Sequence, residues 1–175
     1  MTRSLSEFYA SISSPPLQAV AAHWLEVRAN NPLPSWNDLR PAALSRHLPI
    51  IWSYKYDRTG RTFTGRLAGD RIARLFGKNF RGIPLIEAHA PSAVSMIHAG
   101  LSRVVLEPAA HRGWGNVIQQ GSNFGAGERI MLPLASDHRL ADEVFGATVY
   151  TFPLLDVHAP TMSISEHEEW FSLPE

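Results

Sequence analysis

The stretch of sequence that decides the fold is Phe63–Gly82, which reads FTGRLAGDRIARLFGKNFRG. It begins with alternating apolar and polar residues, typical of a strand, and continues with a short helical pattern. We predict that Asp70 caps the start of this helix and that Gly77 ends it, because aspartate accepts backbone hydrogen bonds at helix starts and glycine tolerates the left-handed conformation at helix ends. A strand, a turn and a small helix in this order indicate a sheet that begins to wrap a cavity of ligand size. The pattern therefore favours a binding module over a catalyst.

The sequence before this stretch is predicted to be mainly helical. Apolar residues recur at helical spacing in Leu5–Ile12 and again in Leu17–Arg28. Ser14 followed by Pro15 marks the start of the second helix, since proline is favoured at the first helical position. A third, shorter helix is predicted at Pro41–His47.

The rest of the chain is predicted to form strands around one long helix. Ile50–Tyr56 and Thr62–Ala68 alternate in polarity around a turn that contains glycine, which predicts a hairpin. The long helix is predicted at Pro91–Leu106. Three more strands are predicted at Trp114–Gln120, Glu128–Leu134 and Val144–Phe152. Because short loops join consecutive strands, we expect an antiparallel sheet and the α+β fold class.

These patterns divide the chain into three parts. They are an N-terminal helical extension at residues 1–32, a sheet domain at residues 33–153 and a C-terminal tail at residues 154–175. The tail is acidic and contains Trp170 and Phe171, so we interpret it as a docking segment or as loose chain.

The composition excludes several classes of function. Sixteen basic and sixteen acidic residues cancel, whereas a nucleic-acid binder usually carries a basic excess, so we expect no nucleic-acid partner. The chain has no cysteine, which excludes disulfides, zinc–thiolate sites and cysteine nucleophiles. No apolar run approaches the roughly 20 residues of a bilayer crossing, and no signal peptide is recognised, so we expect a cytoplasmic protein without a membrane partner.

Five motifs together carry a resemblance to a known family. They are LPSWNDLRP (Leu33–Pro41), HLPIIW (His47–Trp52), the opening stretch Phe63–Gly82, RIMLPL (Arg129–Leu134) and VFGATVYTF (Val144–Phe152). In this combination the chain resembles the PAS sensor-domain superfamily, and more narrowly its small stand-alone bacterial variant.

The resemblance implies a fold and a general role. It implies a PAS-like five-stranded antiparallel sheet with helices on one face, preceded by the N-terminal helices and enclosing a pocket. The sheet domain at residues 33–153 is then the PAS-like domain. Such domains sense small molecules or cofactors, or mediate dimerisation, and the helix at Leu17–Arg28 would pair two subunits.

The long helix and the third strand supply most of the candidate ligand contacts. His98 shares the apolar stripe of the long helix. Haem-binding PAS domains take an axial histidine from this helix, so the resemblance implies that His98 could be a haem ligand; a histidine on an apolar face is more usually a hydrogen-bonded residue of the core or pocket. Trp114 and Asn116 share one face of the third strand with Ile118 and Gln120, and this face points either to the pocket or to solvent. The residues predicted to line the pocket are His98, Leu75, Phe76, Leu101, Trp114, Asn116 and Leu132.

The function predicted from these observations is a non-catalytic sensor or signalling domain. It binds an unidentified small ligand and forms a homodimer through the N-terminal helix, and its output is either an altered dimer geometry or binding to a separate signalling partner. We expect no catalytic residues and no metal site, and the sequence does not identify a cofactor, although the absence of cysteine excludes a covalent flavin adduct. Two alternatives remain open: a small enzyme on a curved antiparallel sheet with His98 as its base, and an interaction module with no ligand.

Overall fold

One antiparallel sheet organises the described part of the chain, and helices cover both of its faces. The structure is a computed structural model that describes residues 3–151 and 161–173. Its strands are β1 (Ile51–Asp57), β2 (Thr62–Ala68), β3 (Ala109–Gln120), β4 (Asn123–Leu134), β5 (Glu143–Tyr150), β6 (Thr161–Ser163) and β7 (His167–Ser172). Its α-helices are α1 (Leu5–Ser11), α2 (Pro15–Arg28), α3 (Pro41–Leu44), α4 (Asp70–Phe76), α5 (Leu85–Ala88) and α6 (Pro91–Leu106).

The strand order β2-β1-β5-β4-β3 confirms the predicted five-stranded antiparallel sheet, and two further strands extend it. β7 pairs with the first half of β3 and β6 with its end, so both lie along the same edge of the sheet. These two strands belong to the predicted tail. Residues 154–160, and Phe152 at the predicted end of the fifth strand, lie outside the described residues. The predicted domain boundaries stay predictions.

The opening stretch forms the predicted strand and helix, with one correction at the start of the helix. Gly77 ends α4 in the left-handed conformation, with φ at 71°. The predicted N-cap was wrong, because Asp70 is already helical and Gly69 is the cap. A Cβ at Gly69 would lie 2.1 Å from the carbonyl oxygen of Leu48, so only glycine fits where the chain passes this close to the backbone before β1. Asp70 instead places its negative charge in the first turn of α4, where it interacts favourably with the helix dipole.

Adjacent residues of β4 show which helices cover which face, because successive side chains of a strand point to opposite sides. Glu128 accepts hydrogen bonds from the backbone amides of Ser13 and Ser14, at 3.0 and 2.7 Å, and so binds the junction between α1 and α2. Arg129 points the other way, toward α4 and α6. We call the two sides the N-terminal face and the cavity face.

The apolar stripe of α2 is buried within the chain itself. Leu17, Val20 and Trp24 are fully buried in the core, and the indole nitrogen of Trp24 donates to the carbonyl of Pro133 at 3.0 Å. This stripe packs on the N-terminal face of its own sheet, whereas the family resemblance implies that the helix pairs two subunits. Pairing of two copies through this helix stays a prediction. None of the described helices combines the length and the apolarity needed to cross a membrane.

A β-bulge in β3 changes which side chains share a face. Asn116 pairs with Ala126 and Ile118 with Gly125, so Val117 is an extra residue opposite β4. Because Ala126 and Gly125 are neighbours on β4, Asn116 and Ile118 lie on opposite faces. The prediction that Trp114, Asn116, Ile118 and Gln120 share one face was therefore wrong.

We predict that Glu128→Gln lowers the free energy of unfolding by about 2–4 kcal/mol. The buried carboxylate also accepts from Nε of Arg112 at 2.6 Å. Its loss leaves a largely buried guanidinium with the more distant Glu169, at 3.6 Å, as its anion and weakens the bonds to Ser13 and Ser14. Urea denaturation measures the change. The matched control is Glu26→Gln, which removes an exposed partner of Arg40 and is expected to cost less than about 1 kcal/mol. Equal losses in the two variants would contradict the anchoring role of Glu128.

Candidate functional site

A cavity of about 230 Å³ lies between the cavity face of the sheet and the helices α4 and α6. Strands β1, β3, β4 and β5 form its floor, and His89 and the loop after α4 close one side. Residues from 163 to 170 close another side, so part of the predicted tail forms a wall of the cavity. Its lining is mainly apolar, with a few polar groups among the rings, which is the usual composition of a small-molecule site.

Aromatic side chains form one continuous wall of this cavity. The rings of Tyr54 and Phe80 stack with centroids 5.1 Å apart, and Phe76 meets the His89 ring edge to face at 5.3 Å. Trp52 lies beside Tyr54, with 6.1 Å between the ring centroids. We call these five side chains the aromatic wall. They lie together because residues 52 and 54 of β1 share a face and the loop after α4 folds back onto them.

The position of Trp52 depends on a glycine in the neighbouring strand. A Cβ at Gly146 would lie 2.3 Å from the indole ring, so the ring occupies the space where a side chain would stand. The indole nitrogen donates to Oγ1 of Thr148 at 3.0 Å, which satisfies its only polar atom.

His89 places a neutral polar ring in the aromatic wall. Its Nε2 lies 2.8 Å from the hydroxyl of Tyr54. Burial lowers the pKa of His89 to about 4, and the charges of Arg129 and Lys78 act in the same direction, so the ring is uncharged at pH 7. Burial also raises the pKa of Tyr54, which keeps its hydroxyl protonated. Nδ1 of His89 is buried and has no hydrogen-bond partner among the described residues.

Arg129 is a buried cation on the floor of the cavity, with 6% of its surface exposed. Nη1 donates to the carbonyl of Ile164 at 3.1 Å. Nη2 donates to the carbonyl of Val117 at 2.8 Å and to the hydroxyl of Ser163 at 3.0 Å. The guanidinium therefore joins β4 to the bulge of β3 and to the C-terminal residues. Beside it, burial raises the pKa of Tyr150 to about 12, so this phenol stays neutral.

The cavity meets solvent at a polar rim formed by β3 and β7. His111 on β3 is buried, and its Nε2 lies 3.3 Å from a carboxylate oxygen of Glu168, which is half exposed. The His111 ring packs on Trp170 with 4.5 Å between the ring centroids. The guanidinium of Arg103 on α6 lies over the Trp170 ring, 4.1 Å from its centroid. Burial lowers the pKa of His111, while its hydrogen bond to Glu168 acts in the opposite direction. Nδ1 of His111 is buried and unpaired among the described residues.

The structure brings two of the seven predicted pocket residues into this cavity. Phe76 belongs to the aromatic wall, and Leu101 lines the cavity from α6. Leu132 is fully buried on the N-terminal face, since it alternates with Arg129 and Met131 along β4. A ligand contact by any of them stays a prediction.

The other four predicted residues lie outside the cavity lining. Trp114 is on the N-terminal face, with Arg112 over its ring at 4.4 Å, and the backbone amide of Asn116 donates to Glu166. Nε2 of His98 lies 2.8 Å from the carbonyl oxygen of Arg61, and its Nδ1 lies 3.3 Å from a serine hydroxyl. Leu75 contributes its backbone carbonyl, which accepts from Thr161.

Sequence reasoning missed the residues that give the cavity its polarity. Arg129 alternates with Ile130 and Leu132, so its side chain lies on the opposite face of β4, and this alternation alone does not indicate that the face is buried. The signal was the place of β4 in the middle of the sheet: both faces of a central strand are covered, so its one cation is buried. His89 carried no signal, because it stands in the loop between the short helix α5 and the long helix α6.

We predict that the free energy of unfolding falls as the pH decreases from 6.5 toward 4, and that His89→Gln reduces this slope by about 1 kcal/mol per pH unit. The unfolded histidine binds a proton near pH 6.5, whereas the folded one does so only near pH 4, so acid favours the unfolded chain in this interval. Glutamine keeps a hydrogen-bonding group near Tyr54 but does not titrate. Urea denaturation at a series of pH values gives the slopes, with the exposed His167→Gln as control. An unchanged slope in His89→Gln would refute the assignment.

Comparison with known proteins identifies the family. The family model described as the PAS domain matches residues 12–149, which include strands β1 to β4, nearly all of β5 and the helices around the cavity. Curated proteins and solved structures give no significant match. The matched region is most of the chain, and the five-stranded sheet with its flanking helices agrees with it. The chain therefore belongs to the PAS domain family, as its sequence predicts.

Proposed function

We propose that this PAS domain senses a small, largely apolar molecule that binds in the cavity, and that its C-terminal residues report whether the cavity is occupied. PAS domains are sensor and signalling domains and are generally not catalysts. The observation that carries the proposal is a cavity of about 230 Å³ with an aromatic wall and with two buried ring nitrogens, Nδ1 of His89 and Nδ1 of His111, that have no hydrogen-bond partner in the part of the chain that the structure describes. Buried polar atoms are normally hydrogen-bonded, so a ligand that pairs with them would gain affinity.

The cavity volume limits the size of the ligand. A cavity of about 150 Å³ holds a benzene molecule, and drug-sized ligands need about 300 Å³ or more. A volume of about 230 Å³ therefore suits a molecule of roughly nine to twelve non-hydrogen atoms, such as one substituted ring or a short chain.

The C-terminal residues 161–173 are the part of the fold best placed to report binding. They line the cavity and at the same time pair with β3 through β6 and β7. Their link to the floor is the set of hydrogen bonds from Arg129 to Ile164 and Ser163. A ligand that contacts these C-terminal residues therefore acts directly on β6 and β7 at the edge of the sheet.

The two alternative functions have less support. The enzyme hypothesis needs His98 in a polar cleft, whereas its Nε2 is bound to the backbone carbonyl of Arg61 and its ring is outside the cavity lining. A pure interaction module would have a filled core, and the cavity argues against that. Homodimerisation remains part of the proposal, with exposed residues of the N-terminal helices such as Tyr9 as the available contacts, because the apolar stripe of α2 is buried.

We predict that Gly100→Leu prevents ligand binding without unfolding the protein. Gly100 faces the cavity from α6, and the nearest atom to a Cβ built there is Cε of Met131 at 4.0 Å, so a larger side chain fills the cavity with little strain. Native mass spectrometry of purified protein and a thermal-shift panel of small aromatic and aliphatic compounds measure binding.

The matched control is Ala99→Leu, which adds a leucine on the exposed side of the same helix. We expect it to bind like the wild type, while Gly100→Leu keeps an equal or higher Tm in the absence of ligand. Equal binding by both variants would show that this cavity is not the ligand site.

We predict that ligand binding slows amide hydrogen exchange in residues 161–173. The reason is that a ligand in the cavity would contact residues between 163 and 170, and these contacts would stabilise β6 and β7. Hydrogen exchange with mass spectrometry, with and without a compound from the thermal-shift panel, measures the effect. The internal control is α2 on the N-terminal face, where exchange should not change. Protection confined to the helices, with none at 161–173, would exclude the C-terminal residues as the reporter.

A further inference from the structure

The buried positive charge of Arg129 is a feature that an apolar ligand alone does not explain. Buried charges in proteins are normally paired with an opposite charge, because the free energy of removing an ion from water is large. The partners of Arg129 are two carbonyl groups, the Ser163 hydroxyl and the neutral phenol of Tyr150. Each of them accepts a hydrogen bond from the guanidinium, and none of these described partners carries a negative charge.

The carboxylates near the cavity are engaged elsewhere. Glu128, the neighbour of Arg129 in sequence, points to the N-terminal face and pairs with Arg112. Glu168 lies at the half-exposed rim, where it pairs with His111. Among the described residues, no carboxylate oxygen lies within 4.0 Å of the Arg129 guanidinium.

The guanidinium also has donor capacity left. It has five N–H groups, and three of them are used by Ile164, Val117 and Ser163. Two remain for the hydroxyl of Tyr150 and for an oxygen atom of a ligand. The aromatic wall lies in the same cavity, so one molecule can meet both an apolar surface and the cation.

We propose that the ligand is a small monocarboxylate whose anionic head pairs with Arg129 and whose apolar body packs on the aromatic wall. This inference rests on the proposed ligand-binding function and adds the chemical class of the ligand. A single carboxylate matches the single uncompensated charge. A cationic ligand would be repelled by Arg129, and a neutral one would leave the charge unpaired.

The test compares acids with their neutral amides of the same shape. The probes are 3-phenylpropionate and octanoate, with 3-phenylpropanamide and octanamide as their matched partners, measured by isothermal titration calorimetry at pH 7. Hydrogen bonds between charged groups contribute about 1.5–3 kcal/mol, so we expect each acid to bind about 10- to 100-fold more tightly than its amide. Equal affinity of acid and amide in the wild type would overturn the proposal.

Variants test whether Arg129 causes the preference for acids over amides. Arg129→Gln should lower acid affinity to that of the amide and leave amide affinity unchanged, whereas Arg129→Lys, which keeps the charge, should retain part of the preference. Arg103→Gln at the rim is the matched control and should keep the full preference. A preference that persists in Arg129→Gln would contradict the proposed pairing. If neither Arg129 variant folds, as judged by its thermal transition, the comparison in the wild type decides.

The outcomes also separate this inference from the function on which it rests. Binding of an apolar probe such as ethylbenzene, without any preference for acids, would leave the sensor proposal intact and exclude the carboxylate. No binding by any probe, together with no co-purifying small molecule, would refute both proposals.

Discussion

Two adjacent charges on the central strand β4, Glu128 and Arg129, hold the other parts of the chain to the sheet. Because neighbouring side chains of a strand point to opposite faces, one carboxylate binds the amides between α1 and α2 while one guanidinium binds the C-terminal residues. Both are buried, so neither can lose its hydrogen-bond partners without a large loss of stability. The two ends of the described chain are thus fixed from a single point in the sheet.

The two faces of the sheet differ in how they are packed. The N-terminal face is filled by the apolar stripe of α2 and the indole of Trp24, so it acts as a fixed support. The opposite face holds the cavity, and its boundary includes residues that arrive last in the chain. A molecule in the cavity would therefore contact residues of the segment 161–173 but not the helices behind the sheet.

Much of the fold could be predicted from the sequence because its signals are local. The proline at the start of α6, the left-handed glycine after α4 and the alternation in β1 each follow from backbone preferences of a few residues. The residues that line the cavity were less predictable, because a strand residue lines it only if its side chain points to the cavity face. The extra residue at Val117 reversed the faces of β3, and the burial of Arg129 depended on helices far away in sequence. The pairing of β6 and β7 with β3 is a contact between distant segments, which no local pattern encodes.

The C-terminal strands also close one edge of the sheet. β3 has twelve residues, β4 covers one side of it, and β6 and β7 together cover most of the other. An uncovered strand of this length offers a row of free amide and carbonyl groups, to which the backbone of another chain readily pairs. The short C-terminal strands thus protect this edge from pairing with another chain, and a chain that ended before residue 161 would expose β3 and be more prone to aggregation.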